Sequence, residues 1–247
     1  MIPFLTVVDL GFRQHVVGLR KYGYLVLALV PALFSALWVG LSEGEDPQRF
    51  FLEWIAAGFH AKMILPLLGV LVGVDAVNAE RANRTFIYLF TRPISRQAIY
   101  LAKVLSAVAF GTLVSTVTLG AAFGVLAIGA GSGFASSAAS TLGWSVLSSA
   151  LAIAAYVSVF AAIGAAVPFP LILSLGFGFV WEGVISGFQV ALAKGTIVNS
   201  TRGVLYRALE ARPDFAVSTW PMAGLLVATT VFLVLGAVAF REASYTK

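Results

Sequence analysis

The sequence predicts an all-α, polytopic membrane protein. It has six transmembrane helices, an N-terminal amphipathic helix in the membrane interface, and a cytoplasmic hairpin between the second and third spans. Three observations lead there. First, 60 % of the 247 residues are hydrophobic and only 11 % are charged, against about 25 % charged in soluble domains. Second, six apolar runs reach the roughly 20 residues that cross a hydrocarbon core. Third, Lys and Arg are unevenly shared between the connecting segments, as cytoplasmic loops require. No stretch outside the runs is long enough for a separate globular domain, so residues 1–247 are read as a single transmembrane domain.

Residues 4–20 are amphipathic at helical spacing. Leu5, Val8, Phe12, Val16 and Leu19 fall on one stripe, and Asp9, Arg13 and Arg20 on another, with Asp9 and Arg13 placed to pair along the helix. Such a helix suits the interface plane. The six runs follow at about 22–41, 57–76, 101–129, 141–166, 168–186 and 219–240. The third and fourth are long enough to tilt. Between the fourth and fifth lies only Ala165–Pro170, where Pro168 and Pro170 force a sharp return or a broken helix. The first run is too long for a signal-peptide core and is expected to remain as a span.

With the N-terminus inside, the cytoplasmic segments hold ten of the sixteen Lys and Arg residues, and the outer segments hold Arg49, Lys62, Lys194, Arg202, Arg207 and Arg212. Both termini are therefore expected in the cytoplasm. On the outside, Ser42–Glu53 reads as a short acidic loop and Gly129–Thr141 as a plain uncharged turn. The stretch 186–218 reads as an extracytoplasmic loop with short interfacial helices. Gly69 and Gly73, like Gly120 and Gly124, are spaced for close helix packing.

Several chemistries are excluded. The net charge of +5 fits the positive-inside bias, and no basic stretch interleaved with aromatics lies outside the spans, so nucleic acid is not an expected partner. There is no cysteine, hence no disulfide, thiolate metal site or Cys nucleophile. No GxxxxGK[ST] run can cradle a nucleotide, and no HExxH, acid pair or Ser/His set falls inside the spans. No catalytic, cofactor or metal residue is assigned. His60 and Met63, at the outer end of the second run, could offer a soft copper contact, although a structural role is favoured. Glu182, after Trp181, has two readings: a functional intramembrane carboxylate, or an interfacial one beside an aromatic-belt residue.

The hairpin at 75–103 carries five of the sixteen Lys and Arg residues. Its aromatic and apolar residues at 86, 87, 89 and 90 are too many for a solvated loop. Arg92 is disfavoured as helix before Pro93, Pro93 suits a new helix start, and Thr91 and Ser95 are candidate caps. The physical reading is a stiff basic elbow joined to two spans, suited to a partner's groove. The alternative is that Arg84, Arg92 and Arg96 simply meet lipid phosphates.

The order Glu80, then Arg84–Thr85, an apolar run to Phe90, Pro93–Ile94–Ser95–Arg96, and Lys103 at the next span resembles the membrane subunits of type-2 ABC exporters. Asn83–Arg84 departs slightly from the small residue or Gly usual before the Thr. The Phe179–Gly183 stretch, FVWEG, is also similar to a feature of that class. The resemblance implies a coupling helix between spans two and three, with Glu80, Arg84, Thr85, Phe86, Tyr88, Arg92, Pro93, Ser95 and Arg96 meeting an ATPase. Trp181 and Glu182 would be candidates for an extracytoplasmic gate.

It further implies a multi-pass subunit of the cell membrane that pairs with a second permease copy, identical or not, and with two ABC ATPase subunits that hold the ATP and Mg. The chain itself would bind no cofactor and be no enzyme. Apolar spans favour an amphipathic or lipid-like substrate. The competing expectation is a six-span ion-coupled carrier or membrane enzyme with its own site and no ATPase partner.

Overall fold

The computed structural model describes residues 2–16, 20–42, 46–83, 95–188, 191–211 and 220–242. Among the described residues there is no strand, and six helices are long and apolar enough to span a membrane. They are Tyr22–Leu41, Pro47–Asn78, Arg96–Ala130, Ala139–Ala166, Pro170–Gly187 and Pro221–Glu242, called here the first to sixth spans. The second is wider than the apolar run suggested: it starts at Pro47, capped by the Asp46 carboxylate, which accepts from the Gln48 amide at 2.9 Å. A helix start rich in charge hid it from hydropathy. Two stretches are π-helical, Phe51–Ile64 in the second span and Phe177–Val184 in the fifth. In the first of these, the Leu65 N–H reaches back five residues to the His60 carbonyl.

The fourth span is the central post. The second, third and sixth spans and the Ile197–Ala208 helix all pack on it. Two-thirds of its apolar window is buried, against 17 % for the first and sixth spans, which leave most of their surface outward. Contact with the second span is close because Gly69 and Gly73 lack side chains. A Cβ on Gly69 would lie 2.5 Å from Tyr156 Cβ, and one on Gly73 would lie 3.0 Å from Phe160 Cβ. Gly120 and Gly124, by contrast, have nothing within 4 Å of such a Cβ. Their spacing marks no packing seam within this chain. Polar side chains in the spans are absorbed locally, as lipid requires: Ser145 and Ser158 donate to carbonyls one turn back at 2.6 Å, and Thr116 at 2.8 Å.

The connections differ in part from expectation. The fourth span ends at Ala166, Val167 is extended, and Pro170 opens the fifth, so the proline pair makes a sharp return between two separate helices. The turn after Gly131 contains a short helix, Ser132–Ser137. The stretch read as an extracytoplasmic loop does more than lie at an interface. Its helix Ile197–Ala208 is buried from Ile197 through Tyr206 and packs against the second, fourth and sixth spans.

The N-terminal helix, Ile2–Val16, carries the expected Asp9–Arg13 pair at 3.0 Å. Its docking face takes in only part of the apolar stripe: Phe12 meets Phe110 edge-on, ring centroids 5.6 Å apart. Val7, Gly11 and His15 are buried, while Leu5 and Val16 are exposed. Gly11 allows the approach, since a Cβ there would collide with Ser106, and the His15 ring stacks on Phe110 at 5.2 Å. A hydrophobicity pattern sees Val7 and Phe12 but not the Gly11 and His15 that complete the face.

Candidate functional site

The elements that flank residues 84–94 come together at one end of the bundle. Arg84, Thr85, Phe86, Tyr88, Arg92 and Pro93 lie outside the described residues, and Glu80 is described only as backbone inside the helix Leu65–Asn83. The shoulders are clear. Ser95 is the N-cap of the third span, its hydroxyl accepting from the Ala98 amide at 3.2 Å. Seven residues after Arg96 the buried Lys103 donates to the Ala76 carbonyl at 3.3 Å, which ties the start of the third span to the end of the second. Arg96 donates to the Arg241 carbonyl at 3.3 Å, and Tyr100 packs on Phe240 with ring centroids 5.6 Å apart. On the opposite side His15 Nδ1 sits 3.6 Å from Asp75 Oδ2. The first helix, the hairpin's two roots and the last span thus form one braced collar.

A second constellation lies where the fifth span ends and the chain folds back. Glu182 is fully buried. Its Oε1 accepts from the Ile197 amide at 3.0 Å, and its Oε2 accepts from the Val198 amide at 2.9 Å and from the Tyr156 hydroxyl at 3.0 Å. Thr196, the N-cap, accepts from the Asn199 amide at 3.2 Å. Three of the four orphan amides of the Ile197–Ala208 helix are therefore satisfied, in a place where water cannot do it. A carboxylate at a helix N-terminus also opposes the helix dipole favourably. The Asn199 amide closes the loop, donating to the Ser186 carbonyl at 3.1 Å and the Ala193 carbonyl at 2.8 Å. Glu182 is therefore a buried, fully engaged carboxylate that caps a helix. Trp181, its neighbour, points the other way, 36 % exposed and stacked on Phe177.

Further along that helix Arg202 is buried beside Tyr206. Burial draws its guanidinium below the ordinary range, an effect that the hydrogen-bonding Tyr206 opposes.

A family model described as "ABC-2 family transporter protein" matches residues 19–184, from the first span through Glu182 and almost to the end of the fifth. The chain belongs to the ABC-2 transporter family. It is a membrane permease of an ABC transporter, a transport subunit of the multi-pass kind, and its six apolar helices agree with that. No curated protein matches it.

Within this ABC-2 permease, sequence reasoning missed most of the Glu182 constellation. Tyr156, Thr196 and Asn199 were not singled out, because the helix they serve is too polar to read as a membrane element. The usable signal was the Thr196-x-x-Asn199 start followed by Arg202 and Tyr206 on one face. His60 fits the structural role favoured for it. His60 is fully buried and bonds the Ser115 hydroxyl at 2.9 Å, while Met63 is 45 % exposed, so the two do not converge. Among the described residues no group of three His, Cys, Asp or Glu side chains could hold a metal.

Proposed function

We propose that this permease is the membrane half of an ATP-driven exporter. It works as a pair of permease copies, identical or not, docked on two separate ATPase subunits that hold ATP and Mg. The hairpin 75–103 is the coupling element and both termini face the cytoplasm of a cell-membrane protein. The braced collar is the observation that carries this reading. Force applied to the residues between Asn83 and Ser95 meets a joint already fixed by Lys103 to Ala76, by Arg96 to Arg241 and by His15 beside Asp75. A stiff joint is what two-state coupling between a nucleotide site and a pathway requires.

The charge distribution supports the orientation. Lys62 stands mid-span and Arg202 and Lys103 are buried, which leaves four Lys and Arg outside against nine inside. The pathway would run between the two copies along the first, second and fifth spans, and its π-helical stretches favour the second and fifth, since such windings recur at functional sites. An ion-coupled carrier is the weaker reading, because both Glu182 oxygens are engaged in capping a helix.

The test is affinity purification of the tagged chain from its own membranes in mild detergent. A stoichiometric subunit with Walker motifs, whose ATPase rate changes when the permease is present, is the expected result. A permease that purifies alone and transports under an ion gradient overturns it.

A further inference from the structure

Lys62 falls midway along the 32-residue span Pro47–Asn78, and it is exposed on the outside of the bundle. A lysine that faces out of the bundle within an apolar span is costly in lipid, and such residues mark substrate paths. Among the described residues no carboxylate pairs with it. The charged group acting on it is Arg202, which repels it. Its own surface is a groove of about 440 Å³ between the first and second spans. Phe34 and Phe59 form one wall, their rings 5.3 Å apart, and Trp54 and Met63, 70 % and 45 % exposed, form the rim.

The π-helical winding shapes this groove. At Gly58 the Glu53 carbonyl stands 2.7 Å from where a Cβ would be, so the position takes no side chain and the wall stays low. The volume lies within the ~300–1,000 Å³ range of small-ligand sites. A single uncompensated cation at one point of an aromatic and thioether trough fits one chemistry: an acid head group on an apolar body.

We infer that the groove binds the substrate's amphiphilic anion, Lys62 holding the carboxylate or phosphate and Phe34, Trp54 and Phe59 holding the acyl or aromatic part. This rests on the permease reading and names its substrate class. A neutral or cationic amphiphile would leave Lys62 without a counter-charge, and the only other side-chain donor in the lining is the Trp54 indole N–H.

Binding can be read on the purified permease in phosphatidylcholine nanodiscs, without the ATPase, by bromine quenching of tryptophan fluorescence. The probes are 9,10-dibromostearic acid, its methyl ester, and a dibrominated phosphatidic acid. The acid is expected to quench saturably, and Trp54→Phe to remove that component. Lys62→Gln is expected to weaken acid binding about tenfold, the loss of one charge-assisted contact, and to leave the ester unchanged. Lys62→Arg is expected to restore it and shows that the site still folds.

Saturable quenching by the phosphatidic acid alone assigns the site to a lipid head group, and quenching by the free acid assigns it to a fatty-acid-like cargo. Both support an anion site. Equal binding by wild type and Lys62→Gln overturns it, as does no saturable quenching. None of these results bears on whether an ATPase co-purifies, so the two readings fail separately.

Discussion

The Tyr156 hydroxyl donates to Glu182 Oε2 at 3.0 Å, a buried bond that locks the fourth span to the fifth at the point where the Ile197–Ala208 helix begins. Because the same carboxylate takes the Ile197 and Val198 amides, Glu182 acts as a remote cap for a helix that water does not reach. Leaving a buried donor unpaired costs about 1–3 kcal/mol. Glu182→Ala is therefore expected to lower the detergent unfolding stability by about 2–6 kcal/mol for two orphaned amides. Tyr156→Phe removes one hydroxyl and should cost roughly 0.6–1.7 kcal/mol, the range seen for bonds inside membranes. Thermal unfolding of the purified chain checks the order Ala worse than Phe. Equal melting of wild type and Glu182→Ala would show the cap to be idle.

The two glycine pairs make opposite predictions from the same spacing. Gly73→Leu drives a side chain toward the Val157 backbone, whose carbonyl oxygen would be 3.1 Å and Cα 3.2 Å from the new Cβ, and neither can move as a rotamer does. A cost of about 1–3 kcal/mol is expected, in line with overpacked cores. Gly120→Ala and Gly124→Ala meet open space and should leave the isolated chain unchanged. Side-by-side size-exclusion and melting profiles of the three variants decide it. A destabilised Gly124→Ala chain would mean that a partner packs there.

These cases show what the sequence could and could not carry. Span number and all-helical class were legible because hydropathy is a one-dimensional property of the chain and lipid leaves no other backbone solution. Packing partners were not. GxxxG at Gly69 and Gly120 is identical text, and only the neighbour across the gap distinguishes them. The second span's start at Pro47 was obscured by Arg49 and Glu53, which pair with each other at 3.0 Å along the helix surface. The Ile197–Ala208 helix escaped because Asn199, Ser200, Thr201 and Arg202 read as solvated, yet all four are buried. For the hairpin, the sequence supplied the cap at Ser95 correctly, while its tie to the last span through Arg241 is long-range and invisible in any local pattern.

That tie leads to a prediction at Gly236. A Cβ there would collide with the Tyr100 hydroxyl and lie 2.6 Å from its ring carbon, with the Ala162 backbone 3.1 Å away on the other side. Three helices meet at this point, so Gly236→Ala must push the sixth span off both the third and the fourth. Loss of the Tyr100–Phe240 contact should follow, and with it the Arg96–Arg241 bond. Cysteines placed at Gln97 and Glu242 should crosslink less readily in Gly236→Ala than in the parent cysteine pair. Unaltered crosslinking would place the bracing of the collar elsewhere.

The hairpin itself gives the sharpest functional prediction. The Arg96 guanidinium donates to the Arg241 carbonyl, so Arg96→Glu replaces this donor with an acceptor that the carbonyl repels. Pro93→Gly removes a fixed φ before the Ser95 cap and loosens the start of the third span. Arg96 is exposed at the start of the third span and Pro93 lies outside all six spans in sequence, so the spans should still insert and melt as wild type. Substrate-dependent stimulation of the partner ATPase and transport in vesicles should each fall severalfold, with basal ATPase activity kept. Ser95→Ala, which costs only the cap and about 0.5–2 kcal/mol of local helix stability, should fall between wild type and these two. Transport that stays normal in Pro93→Gly and Arg96→Glu would mean that the corner carries no force, and the coupling element would have to be sought in the N-terminal helix docked through Gly11 and His15.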